Sequence, residues 1–125
     1  MARKGVPQSL RTWFLIHFAV DYIAGIPLFI APEWFLGLFG FGLVEPLTAR
    51  IVAAAFFAIG GTSLLMHKKG KEVFQTMLNL KIIWSAFAMV AILITILQGA
   101  PASLWLFLGI FLVFFLVWFY YRSKL

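Results

Sequence analysis

Two residues of this chain have the types and the spacing to do proton chemistry in an apolar setting. Asp21 lies near the middle of the apolar run 13–27, and His17 precedes it by four residues, which is one turn if the run is helical. A carboxylate in such a run costs on the order of several kcal/mol unless it is paired, hydrogen-bonded or protonated. An imidazole on the same helical face can relay a proton to or from it, or help hold an acidic headgroup. Something elsewhere must answer the acid, and Lys81, inside another apolar run, is the expected counter-charge.

Counting residues from the basic flanks gives the depth of each group. Asp21 follows Arg11, and Lys81 follows Lys71, by the same number of residues, which places both about 15 Å along their helices. Matched depth predicts an Asp21–Lys81 ion pair. His17, Thr62, Ser63, Gln75, Thr76 and Asn79 are expected on its basic-flank side and Ser85, one turn beyond Lys81, on the other. Asp21, His17, Lys81, Asn79, Ser85 and Thr62 would then line a polar pocket that holds a small ligand or the ion pair itself. A competing structural reading is that buried charges fix helix register, or that Lys81 snorkels to the interface.

Other chemistries are poorly supplied. Cysteine is absent, so disulfide exchange, thiolate catalysis and Cys-ligated metal or iron–sulfur centres are excluded. His17 and Asp21 offer two metal ligands on one face, and a third would have to come from Asn79 or water. His67 falls in a connecting loop, which argues against haem held by two histidines. No nucleophile stands beside the acid and base. The expectation is therefore a protein without catalytic residues, metal or cofactor.

The elements that position these groups follow from composition. Of 125 residues, 64% are hydrophobic and 11% charged, against about half and about a quarter in soluble domains. The fold class expected is all-α: an antiparallel four-helix transmembrane bundle forming a single integral membrane domain, with a short interfacial helix between the first two spans. The spans are placed at 12–31, 48–66, 73–97 and 102–121, each long enough for a hydrocarbon core of roughly 30 Å. Arg3 and Lys4 precede the first span like a signal peptide, but its length and Asp21 mark it as a retained helix. Pro27 should kink that span or end it early. Pro32 suits a first helical turn and Gly40 a stop, which gives the interfacial helix 32–40. The second span repeats small residues at Ala54, Ala58 and Thr62 and carries Gly60 and Gly61, so it should pack most closely. The last span, rich in Phe and Trp, is expected to face lipid or an oligomer partner.

Charge gives orientation. Arg3, Lys4, Arg11, Lys68, Lys69, Lys71, Arg122 and Lys124, most of the 10 basic residues, flank the spans on one side. The net charge of +6 is thus a topology signal, with membrane lipid rather than nucleic acid as the partner. Both termini and the middle loop are expected in the cytoplasm. On the opposite face Glu33, Glu45 and Arg50 form a structural cluster in which Arg50 bonds a glutamate.

The stretch 27–40, reading Pro27-Leu28-Phe29-Ile30-Ala31-Pro32-Glu33-Trp34-Phe35-Leu36-Gly37-Leu38-Phe39-Gly40, is followed by Glu45-Pro46-Leu47-Thr48-Ala49-Arg50 and the small-residue helix. It resembles the first half of the DoxX-like proteins, small four-helix integral membrane proteins of bacteria and archaea. The resemblance covers about half the chain, residues 13–66. It implies a four-helix bundle in a prokaryotic inner membrane with both termini inside. It implies no settled activity, a few relatives being tied to quinone-linked respiratory enzymes, and no catalytic motif carries over.

Two functions from different classes fit these residues best, ahead of an intramembrane enzyme acting on a lipid with His17 and Asp21 as acid and base, for which no nucleophile or metal centre is supplied. One is a non-enzymatic membrane protein that binds a lipid-like or quinone-like molecule in the polar pocket, or serves as an accessory subunit or homo-oligomer. The other is a small proton-coupled transporter working as a dimer, similar to the small multidrug-resistance exporters. Lys81 disfavours the second, because a neighbouring cation lowers the proton affinity of Asp21. If the two charges pair, Asp21→Asn or Lys81→Met alone lowers stability in detergent unfolding more than the double substitution does. Additive losses would contradict the pairing.

Overall fold

The computed structural model describes residues 5–125, and these are helical without strands. The helices are α1 (Gln8–Ile30), α2 (Pro32–Gly37), α3 (Pro46–Met66), α4 (Lys71–Leu97) and α5 (Leu104–Lys124). Arg3 and Lys4, counted above for orientation, lie outside the described residues. Four of the helices are long and apolar enough to cross a membrane. The chain divides into two compact units, the first ending at Gly70 and the second spanning Lys71–Leu125.

The helices do not stop where the apolar runs stop. α1 begins at Gln8, with Pro7 as its N-cap, and α5 continues through Arg122 to Lys124. Hydropathy locates a run matched to hydrocarbon, whereas backbone hydrogen bonding continues into polar flanks that water can solvate. Pro27 does not end α1 early. It sits in the last turn and its carbonyl accepts the Ala31 N–H at 2.9 Å. The short helix α2 closes at Gly37, ahead of the expected stop. Leu38–Gly40 forms a turn completed by Gly40 at φ +92°, a conformation open to glycine.

In the first unit α1 packs along α3. The buried positions of α1 are Leu10, Phe14, His17, Asp21, Gly25 and Leu28 with Arg11 beside them, a single stripe at helical spacing. The facing stripe of α3 is made of small residues, Ala49, Ala53, Gly60 and Ser63, which lets the two backbones approach closely. This corrects the register read from sequence: Ala54 and Ala58 are exposed and Thr62 is half-buried. Leu28, Ala49 and Ala53 gather Phe35, Leu36, Val44 and Phe56 into a core, so α2 is fastened to one end of the pair.

Two arginines lock the register of this pair from opposite ends. The last carbonyls of a helix have no intrahelical partner and carry the negative end of its dipole. Arg11, in the first turn of α1 and buried, donates from Nη1 to the carbonyls of His67 and Lys69 at 2.9 and 2.8 Å, just past the end of α3. Arg50, near the start of α3, donates from Nε to the Phe29 carbonyl at 2.9 Å, in the last turn of α1. The expected bond from Arg50 to a glutamate is replaced by this one. Glu45 is engaged elsewhere, as the N-cap of α3. It accepts from the Leu47 N–H at 3.0 Å, the Thr48 N–H at 2.6 Å and the Thr48 hydroxyl at 2.7 Å. The Thr48 hydroxyl, then the two amides, hold the Glu45 carboxyl below its ordinary pKa. The charged cap therefore survives acidification below the usual carboxylate range before it is lost. Glu33 is exposed in the first turn of α2.

In the second unit α4 packs along α5. Phe74, Met77, Leu78, Lys81 and Ser85 are the buried positions of α4, and Leu104, Phe114 and Trp118 those of α5. The Gln75 amide donates to the Leu125 carbonyl at 3.2 Å, and Arg122 Nε donates to Asn79 Oδ1 at 2.9 Å. Farther along, Trp84 meets Phe111 edge to face at 6.1 Å. The aromatic helix is thus not a uniform outer surface. Trp105 and Phe119 are exposed, whereas Phe114 and Trp118 are buried.

The paired carbonyl bonds of a buried guanidinium predict that Arg11→Gln destabilises the protein by about 2 kcal/mol. Lys68→Gln, at an exposed position in the same loop, should stay within about 0.5 kcal/mol. Denaturant unfolding in micelles of a single detergent measures both.

Candidate functional site

The acid and the imidazole come together on α1. His17 Nε2 lies 3.4 Å from Asp21 Oδ2, and the residues are 4% and 6% exposed. The i, i+4 spacing on one helix is enough to bring them within reach. What makes room for them is on α3. A Cβ added at Gly60 would stand 2.7 Å from Asp21 Cβ and 3.1 Å from Oδ2. Any side chain at position 60 would therefore push the carboxylate out of its place. Gly60 is a space-giving residue of the site, and its missing side chain is why an acid fits inside this helix pair.

The same arrangement recurs one residue along. Tyr22, next to Asp21, donates its hydroxyl to the Phe57 carbonyl at 3.1 Å. A Cβ on Gly61 would fall 2.8 Å from that hydroxyl oxygen. The consecutive pair Gly60–Gly61 thus receives the consecutive pair Asp21–Tyr22. Gly25, on the α1 stripe, returns the accommodation, since a Cβ there would meet Phe57 Cε1 at 2.8 Å. Rings continue the contact: Phe18 to Tyr22 at 4.7 Å, Tyr22 to Phe57 at 5.0 Å and Phe57 to Phe29 at 5.7 Å. Tyr22 was not among the residues expected at the site. The available signal was its place beside Asp21, matched by two adjacent glycines on a neighbouring apolar run.

Other expected members are placed less centrally. Thr62 is half-buried on α3. Ser63 is buried and bonds back to the Ile59 carbonyl at 2.8 Å, which satisfies its hydroxyl within its own helix. In the second unit Lys81 is fully buried and Ser85 nearly so. The Ser85 hydroxyl donates to the Lys81 carbonyl at 2.6 Å, and the Lys81 ammonium stands over the Trp118 ring, 4.7 Å from its centroid. Asn79 is exposed and takes the Arg122 hydrogen bond. Trp118 was hidden from sequence reasoning by the unbroken aromatic run around it.

Asp21 and Lys81 hold the same place in similar stripes of the two units, and the first stripe adds His17. Phe14, His17, Asp21 and Gly25 are buried at spacing i, i+3, i+7 and i+11, and so are Phe74, Met77, Lys81 and Ser85. The first site can accept, hold or pass a proton and can hydrogen-bond a polar headgroup. The second supplies a desolvated cation. Among the described residues no group of three His, Cys, Asp or Glu side chains is gathered where a metal could sit. Comparison with family models, with curated proteins and with solved structures finds no match to this chain.

Proposed function

We propose that the chain is a non-enzymatic integral membrane protein, an antiparallel four-helix bundle that binds a small lipid-like or quinone-like molecule at a polar site around His17 and Asp21. The observation that carries this reading is the burial of an acid–imidazole pair midway along a largely apolar helix pair, where Gly60 makes room for the acid. Intramembrane ionisable groups are expensive, and they are found where a ligand, ion or proton is handled. A carbonyl or hydroxyl headgroup would hydrogen-bond the imidazole and carboxylate while its apolar remainder stays among the rings and aliphatic side chains of the spans.

The basic flanks favour both termini in the cytoplasm, and a prokaryotic inner membrane is what the family resemblance implies. The resemblance of residues 13–66 to the DoxX-like proteins belongs to the same proposal, as does service as an accessory subunit of a larger membrane complex. Lys81 is proposed as the cation that answers Asp21, on the strength of their equal count from the basic flanks alone. No catalytic role is assigned.

Native mass spectrometry of protein extracted with minimal delipidation tests the reading. Wild type should carry a bound small molecule that Asp21→Asn loses. A ligand-free dimer, unchanged by the substitution, would contradict it and favour the dimeric transporter or a purely structural subunit.

A further inference from the structure

Lys81 is the one ionisable side chain of α4 that is wholly buried. Its stem of four methylene groups packs readily in such a place, but its ammonium group does not. The ammonium lies 4.7 Å from the centroid of the Trp118 ring, within the range in which a cation is drawn to the negative face of an aromatic system, and tryptophan offers the strongest such face. Of the two tryptophans on α5, Trp105 is 58% exposed and Trp118 is 0% exposed. The buried indole is the one set against the cation.

The rest of the helix pair fixes that ring. Phe114, one turn before it on α5, stacks on Trp118 at 5.5 Å and 18°. The Arg122–Asn79 and Gln75–Leu125 bonds tie the end of α5 to the start of α4, so the register that puts residue 118 beside residue 81 is held by polar contacts. Ser85 bonds the Lys81 carbonyl and steadies the turn from which the lysine departs.

We infer that Trp118 is the positioning residue for Lys81: its ring face holds the ammonium inside the α4–α5 pair and stabilises it there by cation–π attraction. This deepens the proposed function and rests on it only for the use made of the cation. The Lys81–Trp118 contact itself lies within the second unit.

Fluorination of the indole separates electrostatics from packing. Each fluorine drains the ring face while leaving the size and shape nearly unchanged. Mono-, di- and trifluorotryptophan placed at position 118 by site-specific incorporation should weaken folding step by step, with a total change in the unfolding equilibrium of roughly tenfold or more in detergent. In the Lys81→Met background the same series should be flat. A flat series with Lys81 present would overturn the inference, and so would equal slopes in the two backgrounds, which would mean that fluorine acts through packing. Because the fluorinated rings keep the indole frame, the test does not depend on whether Trp118→Leu folds. A flat series beside an Asp21-dependent bound ligand would overturn this inference and leave the proposed function standing. A steep series with no bound ligand would do the reverse.

Discussion

The structure of the first unit turns on placing a carboxylate inside a stripe of apolar contacts. An ionised acid there is unfavourable unless donors and space are provided together. His17 places its Nε2 3.4 Å from the carboxylate from the preceding turn, and Gly60 supplies the space by having no side chain to compete for the volume. The close approach of α1 and α3 depends on the register in which position 60 faces position 21. A slip of one turn would bring Phe56 or Leu64 to that place and close it. The arginines at the two ends resist such a slip, because each is bonded to carbonyls at the far end of the partner helix. Apolar stripes alone resist sliding poorly. Directional bonds at both ends make one register the favoured one.

The second unit meets the opposite problem with different means. A buried acid can be served by N–H and O–H donors, of which helices have few to spare away from their ends. A buried cation can be served by a ring face, which an apolar helix can carry without adding any polar atom. On α5 the Trp118 ring lies against the Lys81 ammonium without adding a polar stripe to the helix. The shared spacing of buried positions in α1 and α4 shows one packing plan filled with opposite charges.

Much of this was legible in the sequence, and the limits have physical causes. The four long helices followed from the length and continuity of the apolar runs, and the His17–Asp21 pair followed from i, i+4 spacing. The ends of the helices did not, because hydropathy marks solvent preference rather than backbone hydrogen bonding. The small residues of α3 were recognised as a packing signal, yet Ala54 and Ala58 were assigned to the seam that Ala53, Gly60 and Ser63 occupy. In a helix this rich in small apolar residues several stripes look alike, and only the partner decides among them. Arg50 read as an ion-pair donor because two glutamates were near in sequence, whereas the carbonyls at the end of α1 left no trace there. Trp118 lay in a run where every face is aromatic or aliphatic, so periodicity could not single it out.

The central claim is that the carboxyl group of Asp21 lies against the backbone of α3 at Gly60. Asp21 is the only aspartate in the chain, so aspartate labelled with carbon-13 at the side-chain carboxyl reports on a single site. In protein reconstituted in lipid bilayers, with glycine labelled at Cα, solid-state NMR can detect carbon pairs closer than about 5 Å. The Cβ position of residue 60 lies 3.4 Å from Asp21 Cγ, which puts the Gly60 Cα within about 5 Å once one more carbon–carbon bond is added. The account predicts a cross-peak between the aspartate carboxyl and one glycine Cα that disappears in Gly60→Ala. A spectrum with no such peak, or a peak that survives the substitution, would contradict it.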